Sequence, residues 1–191
     1  MAEVVLFHHV QGLTAGVRRL ADELRAGGHT VHTPDFFEGA TFGSLDDGFA
    51  ALRARGDGAV DAWADRVADG HPPQVVYAGI SLGVMPAQRL AQTRPGAAGA
   101  LLLEGCAPAS AFGEHWPADV PVQVHGMEHD PFFGLEGDVD AARELVSQAA
   151  DGELFVYRGD VHLFTDSSLP SHDEAATALV VERALALLAR V

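Results

Sequence analysis

Short apolar runs of strand length alternate along this chain with stretches whose apolar residues recur at helical spacing. Residues 4–7, Val-Val-Leu-Phe, form the first unbroken run. After a polar loop, Val17, Leu20, Ala21 and Leu24 line one face of a helix closed by Gly27-Gly28. Residues 30–33 read as a short strand ended by Pro34-Asp35. The glycine-dotted stretch 36–58 has no clear period and reads as a loop able to form a mobile pocket wall. Val60, Trp63, Ala64 and Val67 restore the helical spacing before Pro72-Pro73 breaks the chain. Residues 75–78 then read as a buried strand, 84–93 as a helix, 99–103 and 120–124 as strands, and Ala142, Leu145, Val146 and Ala149 as a helical stripe. Residues 154–157 are the last strand. Ser171 and Glu174 stand at capping-box spacing and open a closing helix that runs to about residue 189.

Strands separated this regularly by amphipathic helices predict one α/β domain over residues 1–191. Its sheet is mostly parallel with helices on both faces, because every crossover must return to the same end of the sheet. No repeat and no linker interrupts the pattern. In such a sheet the loops at the carboxyl ends of the strands share one edge, where ligands bind.

Composition narrows the chemistry. With 48% apolar and 20% charged residues, the 191-residue chain has material for one ordinary core. A net charge of −15 repels phosphate backbones and anionic lipid, so neither nucleic acid nor a membrane is expected as partner. No basic flank or apolar segment of about 20 residues marks a leader or a span, which leaves a cytoplasmic protein, monomer or homodimer, as the expectation. The single cysteine, Cys106, cannot form an internal disulfide and suits a reducing compartment. Lysine and asparagine are absent altogether, which excludes a Schiff-base or phosphate-loop lysine and a Cys/His/Asn triad.

Directly after the strand at 75–78 comes Gly79-Ile80-Ser81-Leu82-Gly83 and then a helix, the GxSxG pattern in its strand-turn-helix setting. Such a turn pushes Ser81 out toward substrate, and the glycines omit side chains where strand and helix cross. A serine hydroxyl is a poor nucleophile until an imidazole takes its proton and a carboxylate orients that imidazole. Chain order in this setting is Ser, acid, His. Asp130 follows one later strand and His162 another, both on carboxyl-end loops, with Glu128 and Asp160 as competing acids. The negative oxygen of the transition state needs two donors: the N–H of Leu82 and one from the loop after the first strand, assigned to Val10.

These residues carry a resemblance. The run His8-His9-Val10-Gln11-Gly12-Leu13, then Pro34-Asp35-Phe36-Phe37, the Ser81 turn, the Asp130 loop and Gly159-Asp160-Val161-His162-Leu163-Phe164 resemble the dienelactone hydrolase family of α/β-hydrolases over nearly the whole chain. The resemblance implies a compact α/β-hydrolase that needs no cofactor and hydrolyses an ester or lactone through an acyl-enzyme. Three departures stand out. Well-known members use Cys where this chain has Ser81. They place a Glu after the first strand where His9 stands here, so His9 is expected to line the site. They also carry a substrate-gripping Arg at the position of Asp166, so a negatively charged dienelactone does not fit this chain.

Ten histidines raise the question of a metal, but the pairs His8-His9 and His125/His129 show no third ligand at motif spacing, so no metal is expected. Phe36, Phe37, Trp116, Phe132, Phe133 and Phe164 lie in or beside the carboxyl-end loops, where they can form an apolar pocket, and Glu38 can reach its rim. The reading is a serine hydrolase of small carboxylic esters or lactones. A thioesterase or amidase uses the same machinery, and a catalytically silent ligand sensor on this scaffold is the rival from another class.

Overall fold

Strand β1 (Glu3–Phe7) sends Val4 and Leu6 to one face of the sheet and Val5 and Phe7 to the other, and all four are buried. An unbroken apolar run does this only in a sheet covered on both sides. The computed structural model describes all residues, Met1–Val191. After β1 come α1 (Ala15–Ala26), β2 (Thr30–His32), α2 (Leu45–Ala54), α3 (Ala59–Asp69), β3 (Val76–Ile80), α4 (Val84–Thr93), β4 (Gly99–Leu103), β5 (Val122–Met127), α5 (Asp138–Gln148), β6 (Gly152–Tyr157) and α6 (Glu174–Leu188).

The six strands form one all-parallel sheet in the order β2-β1-β3-β4-β5-β6. Helices α1 and α6 cover the face that carries Val4 and Leu6, through Val17, Leu20 and Leu24 on one and Val180, Ala184 and Leu188 on the other. Helices α3, α4 and α5 cover the opposite face through Ala64 and Ala68, Ala87 and Leu90, and Ala142 and Leu145. Each wholly buried Val or Leu contributes about 1.5–3 kcal/mol, so these two layers dominate the favourable side of folding. The chain runs outward from β1 to β2, returns to β3, and continues in that second direction. The crevice at this reversal, between the carboxyl ends of β1 and β3, is where open parallel sheets bind ligands.

Three local expectations need correction. The stretch 36–58 is not all loop: it contains α2, capped by the Ser44 side chain, which accepts from Asp47 N. Gly48 is the one buried residue of this helix, so it leaves no apolar stripe in the sequence and rests instead on its cap and on Asp46 and Asp47 in its first turn. Helix α6 is capped by Asp173, which accepts from Ala176 N, while the Ser171 hydroxyl donates to the Leu163 carbonyl. Strand β5 continues past residue 124 to Met127, because the buried polar Gln123 and His125 find partners in Glu153 and Tyr157 on β6. No helix is long and apolar enough to cross a membrane.

Candidate active site

Ser81 leaves β3 with φ +50°, a left-handed conformation that a side chain disfavours. A tight turn forces it. A Cβ on Gly79 would collide with the Gly83 carbonyl, and one on Gly83 with the carbonyl of Phe7 at the end of β1, so both glycines are required for the strand and helix to cross this closely. The four non-glycine residues with positive φ are Glu38, Ser81, Glu104 and Leu163, and each lies in a loop after the carboxyl end of β2, β3, β4 or β6. Backbone strain is thus concentrated on the ligand-binding edge.

The Ser81 hydroxyl donates to His162 Nε2 at 2.8 Å, and His162 Nδ1–H donates to Asp130 Oδ2 at 2.7 Å. Asp130 is fully buried, and its other oxygen accepts the Phe132 N–H at 2.9 Å. The Phe132 ring lies 4.6 Å from the imidazole and shields it. The competing acids are elsewhere: Glu128 and Asp160 are exposed, and Glu128 faces His129.

A buried carboxylate that sequence reasoning missed stands beside this relay. Glu104, directly after β4, accepts from Phe164 N at 3.0 Å, Thr165 N at 3.2 Å and the Thr165 hydroxyl at 2.6 Å, and so holds the loop that carries His162. One atom from each of Glu104, Asp130 and His162 lies within 4.8 Å of the others. Burial pushes the Glu104 carboxyl above its ordinary range, while the positive potential of His162 and the Thr165 hydrogen bonds pull it back. The available signal was an acid at the end of a wholly apolar strand, on the same edge as Ser81.

Around the crevice, Val10 is buried and its N–H has no backbone acceptor. Helix α2 packs on this turn: a Cβ on Gly48 would strike the Val10 carbonyl. Leu82, the next residue in the turn after Ser81, is half-buried and lines a small cavity with His8, Phe36, Trp63 and Pro86. His8 donates through Nδ1 to the His9 carbonyl and accepts the Phe36 N–H on Nε2, so it ties the first loop to the third. Burial lowers its pKa to about 4, and the ring is neutral. On the other side of His162 opens a cleft of about 260 Å³ lined by Gln11, Leu45, Leu163 and Leu169, with no arginine or lysine in its wall.

Several aromatic and polar residues expected at the site lie elsewhere. His9 is fully buried: its Nδ1 accepts Gln11 N–H and its Nε2–H donates to Asp166 Oδ2 at 2.8 Å, so it does not line the cleft. Asp166 also receives the Thr14 and Ser168 hydroxyls, and Gly16 leaves room for its carboxylate. Burial acts to raise the Asp166 pKa, but the hydrogen bonds from His9, Ser168 and Thr14 outweigh it and hold the group at about 2. Trp116 is core, its indole N–H donating to the Val120 carbonyl, and Phe164 and Phe133 are core as well. Phe37 is buried between His8, Phe36 and Phe42. Glu38 faces solvent and pairs with Arg55 at 3.1 Å, on the rim of an outer groove. Of the aromatic residues expected there, Phe36 and Phe132 do reach the crevice, and Trp63, which was not expected, lines it beside Phe36. His125 is buried between Tyr157 and Gln123 while His129 is exposed, so that pair does not converge. Cys106 packs in the core, and burial, then the charge of Asp138, pushes its thiol up to about 12.

A model of the dienelactone hydrolase family matches residues 1–191. The chain belongs to that family. Family membership makes it a hydrolase, and solved structures repeat the fold. A dienelactone hydrolase-like promiscuous phosphotriesterase from metagenomic libraries is 18% identical, with a TM-score of 0.72 over 100% of this chain and 86% of that one. A dienelactone hydrolase, so described provisionally, from Klebsiella pneumoniae gives 18% and 0.72 over 100% and 88%. A structure from the metagenome-derived lipolytic enzymes LipS and LipT gives 16% and 0.65 over 100% and 94%. No curated protein matches the chain in sequence.

Proposed function

We propose that this dienelactone hydrolase family member is a serine hydrolase of small, uncharged carboxylic esters or lactones. The reading rests on the unbroken relay from Ser81 Oγ through His162 to Asp130, with contacts of 2.8 and 2.7 Å. Ser81 attacks the carbonyl carbon as His162 Nε2 takes the hydroxyl proton, and Asp130 stabilises the resulting imidazolium. The carbonyl oxygen becomes negative as the C–O double bond opens, and the N–H groups of Leu82 and Val10 receive it. His162 returns its proton to the departing alkoxide, leaving an acyl-Ser81. Water, deprotonated by the same imidazole, then attacks the acyl carbon, and as the bond to Ser81 Oγ breaks His162 passes its proton to that oxygen, which frees the serine and the carboxylic acid.

A cleft without arginine or lysine favours uncharged acyl and alcohol groups over the dianionic or carboxylate-bearing substrates that an arginine grip would serve. The test is a panel of activated acetate esters, thioesters and lactones against wild type and Ser81→Ala. Esters or lactones are expected to turn over, and Ser81→Ala to lose activity by about 10⁶-fold, as removal of the serine does where a full triad operates. Fluorophosphonate labelling should place its mass on Ser81. Retained turnover in Ser81→Ala, or a label on another residue, removes the proposal, and a preference for thioesters over oxygen esters moves it to the thioesterase reading.

A further inference from the structure

Far from Ser81, three side chains from distant parts of the chain converge. Glu3 opens β1, His32 closes β2, and His71 lies in the turn between α3 and β3. His32 Nε2 stands 3.0 Å and His71 Nδ1 3.2 Å from the same atom, Glu3 Oε1, with the two imidazole centroids 4.3 Å apart. The sheet places two of the three. Glu3 pairs with Thr30 and Val5 with His32, so Glu3 and His32 rise from the same face of adjacent strands. Helix α3 packs on that face and delivers His71. All three are half-buried, and the ion-pair partners of Glu3 are these two imidazoles, with no arginine between them.

We propose that Glu3, His32 and His71 bind one divalent transition-metal ion of the zinc class, with solvent completing a four-coordinate shell. Zinc bonds to imidazole nitrogen and carboxylate oxygen of about 2.0–2.2 Å in a tetrahedron set neighbouring ligand atoms roughly 3.3 Å apart. The two edges from Glu3 Oε1 already have nearly that length, so the ion enters by replacing the two hydrogen bonds with lone-pair donation and the backbone stays in place. Two imidazoles and one carboxylate suit zinc, copper or nickel and not magnesium or calcium, which prefer oxygen shells. The chain's charge of −15 raises the local concentration of cations.

The role this position allows is structural. Glu3 is level with Val75, six residues before Ser81 along β3, which at about 3.3 Å per residue separates the two sites by about 20 Å. The ion would fasten β2, a three-residue edge strand, to the turn that leads into β3.

The experiment is calorimetric titration of chelator-treated full-length protein with Zn²⁺ alone, with Co²⁺ absorption reporting the ligand set and thermal unfolding followed in parallel. One equivalent should bind, the unfolding midpoint should rise, and Co²⁺ should give the spectrum of a four-coordinate site with imidazole ligands. His71→Gln keeps a hydrogen-bond donor toward Glu3 but removes an imidazole, and His32→Gln does the same from the other side. Each should weaken binding by more than about 100-fold, beyond the 10–100-fold that loss of an outer-shell partner brings. His162→Gln should bind Zn²⁺ like wild type. No stoichiometric binding, binding that survives loss of both His32 and His71, or binding abolished by His162→Gln and so belonging to the Glu104–Asp130–His162 group each overturn the proposal. None of these readouts depends on ester hydrolysis.

Discussion

Asp166 accepts a hydrogen bond from His9 across 157 residues of chain, and with it joins the loop after β1 to the loop that carries His162. Because His9 Nδ1 accepts from Gln11 N–H, the ring is held with its proton on Nε2, and the pair is a neutral imidazole donating to a carboxylate. Both side chains are fully buried. Asp166→Ala leaves the His9 donor and the Thr14 and Ser168 hydroxyls without an acceptor and should destabilise the fold by on the order of 3 kcal/mol, read by urea unfolding. Asp166→Asn, which keeps an acceptor oxygen, should lose less. A cleft-facing Asp166 would instead change KM and leave the urea midpoint where it was.

Glu104 is expected to act on His162 through position, without touching substrate. In Glu104→Gln an amide N–H₂ replaces one acceptor oxygen, so one of the loop bonds from Phe164 N or Thr165 fails and stability falls. The loop then holds His162 less firmly against Ser81, so kcat should fall by about 10-fold with KM little changed. A Glu104 that serves stability alone would lower the urea midpoint and leave kcat fixed.

The elbow conformation separates activity from stability. Ser81→Gly and Ser81→Ala both remove the proposed nucleophile and its bond to His162, yet only glycine relieves the left-handed backbone, which costs other residues roughly 1–2 kcal/mol. Ser81→Gly should therefore be the more stable of the two variants by about 1 kcal/mol in chemical denaturation. Equal stability would mean that the turn is relaxed.

Acid should destabilise the fold well before its exposed carboxylates protonate. Burial lowers His8 to about 4 and His125 to about 3, so below an ordinary imidazole pKa near 6.5 the unfolded chain binds protons that the folded chain refuses. Folded pKa values below the unfolded ones mean full stability above about pH 6.5, lost as pH falls toward about 4 for His8 and about 3 for His125. Each group is worth on the order of 3–5 kcal/mol over its whole window. Urea midpoints should drop between about pH 6.5 and 4.5, with a shallower slope in His125→Gln; a flat profile contradicts neutral burial of the two rings.

Legibility in the sequence followed the kind of force involved. Val76–Ile80 and its turn were readable because both faces of a central parallel strand are apolar and two glycines punctuate its end. Asp130 and His162 were readable by chain order and by their place after strands. Helix α2 was not, since its one buried residue is a glycine, although Ser44 followed three positions later by Asp47 is the mark of a capped start. Loop aromatics show their size in the sequence but not their direction, so Trp116 and Phe164 went to the core while Phe132 went to His162. The His9–Asp166 and Glu104–Thr165 pairs are tertiary contacts between distant loops, and no local pattern encodes them.

The one thiol in this molecule is Cys106, packed in the core with its proton retained at neutral pH. Alkylating reagents and mild peroxide act on thiolates and find none at the carboxyl edge of the sheet, where the turn after β3 carries the Ser81 hydroxyl. With Ser81 as the proposed nucleophile, hydrolysis is expected to proceed at the same rate in aerated buffer as in the presence of a reductant.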